Sequence, residues 1–479
     1  MDGGAVIVAD SLPANVSKSA ETDESPSATV QPVALSAPRD KHLHQIDFVR
    51  LVTFAGVIAD HVILGIATPT NVAAGGVGIF LRYTRYSFFA LTGFVLTYQY
   101  RHRELRPVQF WRRRYTLIGL PFVVWSLFYW VYGRYEGGGF GGLRDLVDSV
   151  SDVGLSAKSI AYDLITGNAW YHLYFLSVSM QIYAVFPAML WLLRKTWGAH
   201  RYLLTASFAI QMTLLYIMVH PPLPFLTHGP QEVLMRHLVV TILPYQFFIL
   251  AGGVAAMHYE AFQAFMIRWR WTFLTLGTAV ITGTLVYYLH DVDSGEPIVR
   301  ATNVFMAHNS FAYVAIILML YSLGTMWQDR RRPGSIADTV MRTAADRSFG
   351  IYLAHALALA ELEPTIHQHL DSSPGLLIVV SFVATVALTV FVVEVLRRSP
   401  ISLITTGRST IDWRSQNPVH SVLTGMAAVA IGIIVRDAMG VPAGDLLAAA
   451  GALLIVSAGV VAAKQWTHRD QPLYAEEIV

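Results

Sequence analysis

Residues 47–61 read DFVRLVTFAGVIADH, an apolar run that holds Arg50 and His61. On an α-helix the eleven positions between them amount to about three turns plus 20°, so both lie on one face, about 16 Å apart along the axis. Asp47 is on the same stripe three residues before Arg50, near enough to pair with it. Asp60 adjoins His61 but points about 100° away and is not expected to orient the imidazole. A charged residue in a membrane span costs at least about 2.5 kcal/mol on insertion scales, and such residues usually face the bundle interior or a cavity. Arg50 therefore reads as a snorkelling anchor or as a ligand for an anion such as phosphate. His61 reads as a hydrogen-bonded packing residue or as a general base. Their shared face weighs toward the functional reading of each.

The rest of the chain sets that helix in a membrane. Of 479 residues, 54% are hydrophobic and 14% charged, against roughly 25% charged in ordinary soluble domains, and mean hydropathy is +0.47. Apolar segments near the roughly 20 residues needed to cross a bilayer recur along almost the whole length. The expected fold is all-α, a polytopic membrane helix bundle of about twelve spans. They fall at about 46–66, 76–99, 115–132, 171–193, 203–219, 237–257, 271–290, 304–327, 347–362, 375–396, 419–435 and 443–463. The ninth is short and ends in Glu361, Glu363 and Pro364. The absence of cysteine excludes disulfides, thiolate catalysis and cysteine-ligated metals. No His-x-x-x-His or acidic ligand cluster appears in the spans, so no metal is expected, nor is a nucleic-acid partner.

Charge sets the expected orientation. Residues 1–42, rich in Ser, Ala, Pro and acidic side chains, read as a disordered cytoplasmic tail. With that tail inside, predicted cytoplasmic segments hold 24 Lys and Arg and the opposite side holds 8, including Arg82 and Arg85. This bias predicts a multi-pass protein of the plasma or inner membrane with both termini cytoplasmic. The domain reading is a ten-span unit at 43–398, two further helices at 399–466 and a tail at 467–479. Residues 133–170 read as either a solvated connector or a cap that binds an acceptor. The glycines of VAAGGVG at 72–78 read as a tight turn on the outer side.

Further motifs follow in order. IDFVRLVTFAGVIADH at 46–61 gives Asp, two residues, Arg, ten residues, His. SFFALTGFVLTY follows at 87–98, then FWRRRYTLIGLPFVVWSLFYW at 110–130 and AWYHLYFLSVSMQIYAVFP at 169–187. YQFFILAGGVAA at 245–256 and RSFGIYLAHALAL at 347–359 complete the set. Together they resemble the membrane-bound acyltransferase-3 family, which acylates glycans, lipids and other envelope molecules, over about residues 44–396. The resemblance implies His61 as catalytic base and Arg50 as a contact for an acyl-coenzyme A donor, acetyl-coenzyme A first among them. It implies that Arg112, Arg113 and Arg114 attract the donor phosphates; plain positive-inside topology is the other reading of these three. His355 would reach a depth comparable with His61, for a direct catalytic role or a structural hydrogen bond. Trp170 and His172, at the outer start of the fourth span, and Tyr352 are candidate acceptor contacts, with an aromatic belt the plainer reading of Trp170.

Two features depart from the family pattern. Leu117 stands where many members have a second arginine after the basic run, and the two extra helices replace the hydrolase-like domain that some members append. The acceptor class expected is an envelope glycan or glycolipid, met in a setting of membrane lipids. A rival reading is a proton-coupled transporter or flippase, since twelve spans with buried Arg and His suit one. No convincing repeat between the halves supports that rival.

Overall fold

The computed structural model describes residues 42–221, 226, 228–369 and 373–468. The tails expected at 1–42 and 467–479 lie outside the described residues but for their innermost positions. From Leu43 onward the described chain is one compact, all-helical unit, without a strand among the described residues. It opens with α1 (His44–Ile66), α2 (Val72–Leu81), α3 (Tyr83–Tyr100), α4 (Pro107–Arg114) and α5 (Leu120–Arg144). Then come α6 (Val150–Thr166), α7 (Tyr174–Lys195), α8 (His200–Val219), α9 (Gly229–His237), α10 (Gln246–Met257) and α11 (Tyr259–Arg268). The second half holds α12 (Arg270–Asp293), α13 (Ile298–Ala301), α14 (Asn309–Arg330), α15 (Ile336–His369) and α16 (Pro374–Arg398). A short α17 (Ser402–Thr406) precedes the closing pair α18 (Pro418–Met439) and α19 (Ala443–Thr467).

Among the described residues nine helices are long and apolar enough to cross a membrane, or ten if Gly229–Val240 and Leu243–Met257, bent by 43°, form one span. The expected count of about twelve exceeds ten by the segments at 76–99 and 347–362. Both are helical, but α3 carries Arg85 and four tyrosines, and α15 carries Asp346, Arg347, His355 and Glu361, which lower their apolarity.

Helix α1 packs against α3, α14, α15 and α16, and so runs through the bundle. Its neighbour α3 meets α10 through glycines. A Cβ on Gly93 would run into the Ile249 carbonyl, and one on Gly252 into the Ala90 carbonyl, which is the small-residue contact that lets membrane helices approach closely. Substituting Gly252→Ala is expected to cost about 1–3 kcal/mol by forcing these backbones apart, read as a lower unfolding midpoint of the detergent-purified protein. An unchanged midpoint would contradict the tight contact.

One local expectation is corrected, and a second segment is given its structure. The glycines at 72–78 form helix rather than a turn: with no side chains at Gly75 and Gly76, α12 moves close enough for the Tyr288 hydroxyl to donate to the Val72 carbonyl at 2.9 Å. The 133–170 segment is largely helical too. Helix α5 runs on to Arg144 through a break at Gly139, where φ is 59°, and α6 follows. The Ser149 hydroxyl caps α6 by accepting from the Asp152 amide at 3.2 Å, and Gly167 ends it at φ 77°. Helix α6 then docks on α5 and α7 through Trp130 Nε1 to Ser159 Oγ at 3.1 Å and Ser177 Oγ to the Ile165 carbonyl at 2.6 Å.

Candidate active site

The hydrogen bonds of one histidine pair define the site. His61 of α1 and His355 of α15 join through Nδ1 and Nε2 at 2.8 Å, their rings nearly parallel at 8°. His355 Nδ1 lies 2.6 Å from the Tyr352 carbonyl, which only accepts, so that nitrogen carries the hydrogen. A neutral His355 then presents a bare Nε2, and His61 Nδ1 donates to it. The remaining nitrogen, His61 Nε2, keeps its lone pair and has no hydrogen-bond partner among the described residues, which is the configuration of a proton acceptor.

Long-range contacts fix this turn of α15. The Tyr129 hydroxyl donates to the Leu353 carbonyl at 2.8 Å and accepts from the Leu357 amide at 3.1 Å, inserting into the helix ladder beside His355. Tyr352 donates its hydroxyl to the His172 carbonyl, tying α15 to the segment that leads into α7.

His61 lines a cavity with Phe54, Asp60, Arg82, Arg85, His172, Tyr174 and Tyr352. His172 is 2% exposed, its ring 5.1 Å from that of His355, and neither of its nitrogens has a hydrogen-bond partner. Tyr352 belongs to the wall, with Phe54 and Phe175 at 5.8 and 5.5 Å. Trp170 does not line this cavity; it is half-buried and stacks on Tyr129 at 5.2 Å. Its neighbour Tyr171, 50% exposed, meets the His61 ring edge-on at 4.8 Å.

Arg50 does not share the cavity. It pairs with Asp47 at 3.6 Å, and Phe54 occupies the stripe between it and His61, packed 5.6 Å from Phe88. Asp346 gathers Arg347, Arg397 and Arg408 at 2.7, 3.3 and 3.5 Å. Arg408, which also repels Arg50, follows Gly407, whose φ of 65° lets the chain turn tightly beside Phe349. Arg112 and Arg113 are exposed, while Arg114 donates to Gln99 at 2.6 Å and lies over Phe110; none of the three lines the His61 cavity.

Arg82, Arg85 and Asp60 in the cavity wall, and Tyr171 against the His61 ring, are polar neighbours of the site that the sequence reading does not assign to it. Loop counting places the arginines with the outer flanks, yet both lie inside the segment 76–99, and that position is the available signal. Tyr171 sits within the quoted 169–187 motif without any mark of its own.

The acyltransferase-3 profile, described as an acyltransferase domain, matches residues 43–394. The chain belongs to the acyltransferase-3 family. Searches of curated proteins and of solved structures find no match. Family and apolar helices together make this acyltransferase-3 protein a multi-pass membrane acyltransferase. The matched stretch contains the whole His61 cavity, whereas Arg408 and the α18–α19 pair follow it.

Proposed function

We propose that this protein transfers an acyl group, acetyl in the first instance, from cytosolic acyl-coenzyme A to a hydroxyl of a cell-envelope glycan or glycolipid. The observation that carries the reading is the chain from the Tyr352 carbonyl through His355 to His61, which leaves His61 Nε2 as a base. In the proposed step Nε2 takes the hydroxyl proton while the oxygen attacks the thioester carbonyl. The C–S bond then breaks, and the proton passes from His61 to the departing coenzyme A thiolate. His355 accepts the hydrogen bond that fixes the His61 ring throughout, and His172 and Tyr352 shape the acceptor's side of the cavity.

In this reading the plasma or inner membrane holds the bundle with both termini cytoplasmic, and Arg50 faces the cytosol. Arg50 and Arg408 hold donor phosphates, with Arg112, Arg113 and Arg114 attracting them from further out. Phe54 stands between that mouth and His61, so the thioester arm must displace or pass its ring.

The test is release of coenzyme A from acetyl-coenzyme A by purified protein supplied with envelope glycolipid extract, with label followed into the glycolipid. A folded protein that releases none with any extract sinks the reading. Arg50→Ala is expected to raise the KM for acetyl-coenzyme A roughly tenfold or more, the loss of one charge-assisted contact worth about 1.5–3 kcal/mol. An unchanged KM would remove Arg50 from the donor site.

A further inference from the structure

Arg82 and Arg85 stand one helical turn apart at the start of α3, and both line the cavity that holds His61. Neither forms an ion pair among the described residues. Arg85 instead lies over aromatic faces, 5.1 Å from the Tyr174 ring centre and 5.7 Å from that of Phe305. The carboxylate on the same wall, Asp60, is 8% exposed, and its Oδ1 has no hydrogen-bond partner. Two guanidinium groups thus face one carboxylate inside a membrane bundle, where each charge costs at least about 2.5 kcal/mol on insertion scales. The aromatic faces hold Arg85 in position without neutralising it.

We propose that Arg82 and Arg85 form an anion subsite beside His61, which selects an acceptor bearing a carboxylate or phosphate close to the hydroxyl that is acylated. Assigning that hydroxyl rests on the acyl-transfer reading; the subsite itself rests on the cavity. His61 and the arginines share one small chamber, so an acceptor whose hydroxyl reaches His61 Nε2 brings its neighbouring substituents against the arginines. A neutral sugar leaves one guanidinium without a counter-charge, since Asp60 serves only one. An acidic sugar supplies the second anion, and the planar guanidinium fork matches carboxylate and phosphate alike.

The experiment is calorimetric titration of the purified full chain in nanodiscs, without acyl donor, against dodecyl glucoside, dodecyl glucuronide and dodecyl glucoside 6-phosphate. One charged glycoside is expected to bind roughly tenfold or more tightly than the neutral one, and whether carboxylate or phosphate wins identifies the acceptor's anion. Arg85→Gln should shrink that preference to about twofold or less, with Arg85→Lys retaining part of it. Absence of any preference in the wild type, through equal affinity or no binding at all, overturns the subsite. So does a preference that survives both Arg82→Gln and Arg85→Gln. Because no donor is present, the two readings fail separately: a chain that prefers a charged glycoside yet never releases coenzyme A keeps the subsite and loses the acyl transfer.

Discussion

Replacing His61 by alanine is expected to lower acyl transfer by roughly 100- to 10,000-fold, the range in which a positioned general base contributes. The KM for acetyl-coenzyme A should change little, because in the proposed arrangement the donor's phosphates lie at Arg50, with Phe54 between them and His61. The variant should fold, since His61 borders a cavity and its removal leaves His355 still bonded to the Tyr352 carbonyl. Rates of coenzyme A release at saturating donor, beside the unfolding midpoint, check both statements. Activity within about threefold of wild type in a folded His61→Ala protein would mean that another group takes the proton, and the buried His172 would be the next to test.

The membrane setting and the helical class are legible from composition because nothing but lipid accommodates so few charges over so many apolar stretches. The partnership of His61 with His355 is legible in outline, because counting residues along two spans places both at similar depth; the 2.8 Å bond between them is not. Arg82 and Arg85 show where loop counting fails. It assigns a charge to the nearer side of the membrane, whereas a helix directs it to a face, and the first turn of α3 with its cap residue Arg82 brings both arginines to the cavity. Asp60 does not orient His61, as helix geometry predicts, but it lines the same chamber. Tyr129 was invisible for a different reason. It acts on the backbone of α15 more than two hundred residues away, and no local pattern marks a tyrosine that will enter another helix's hydrogen-bond ladder. The 72–78 glycines suited a turn and a close helix contact equally, and only Tyr288 on α12 decides between them.

Substituting His355→Leu, close in volume, is expected to cut the rate at saturating donor roughly 100-fold or more while leaving donor KM unchanged. In the proposed mechanism His355 acts through His61 as a positioning residue: with its Nε2 gone, His61 Nδ1–H loses its acceptor, and the imidazole is free to turn or to shift its hydrogen to Nε2. The orienting aspartate of serine-protease triads gives a scale, since disturbing the histidine tautomer there costs about 10,000-fold. His355→Gln separates orientation from mere packing, because its amide oxygen can accept from His61 Nδ1–H in place of the imidazole nitrogen. Recovery to within roughly tenfold of wild type is the expected result, measured by the same coenzyme A release. Equal inactivity of folded Leu and Gln variants would mean that His355 does more than accept one hydrogen bond. A fully active Leu variant would show that His61 holds its tautomer without help, and the pair would then be a feature of packing rather than of catalysis.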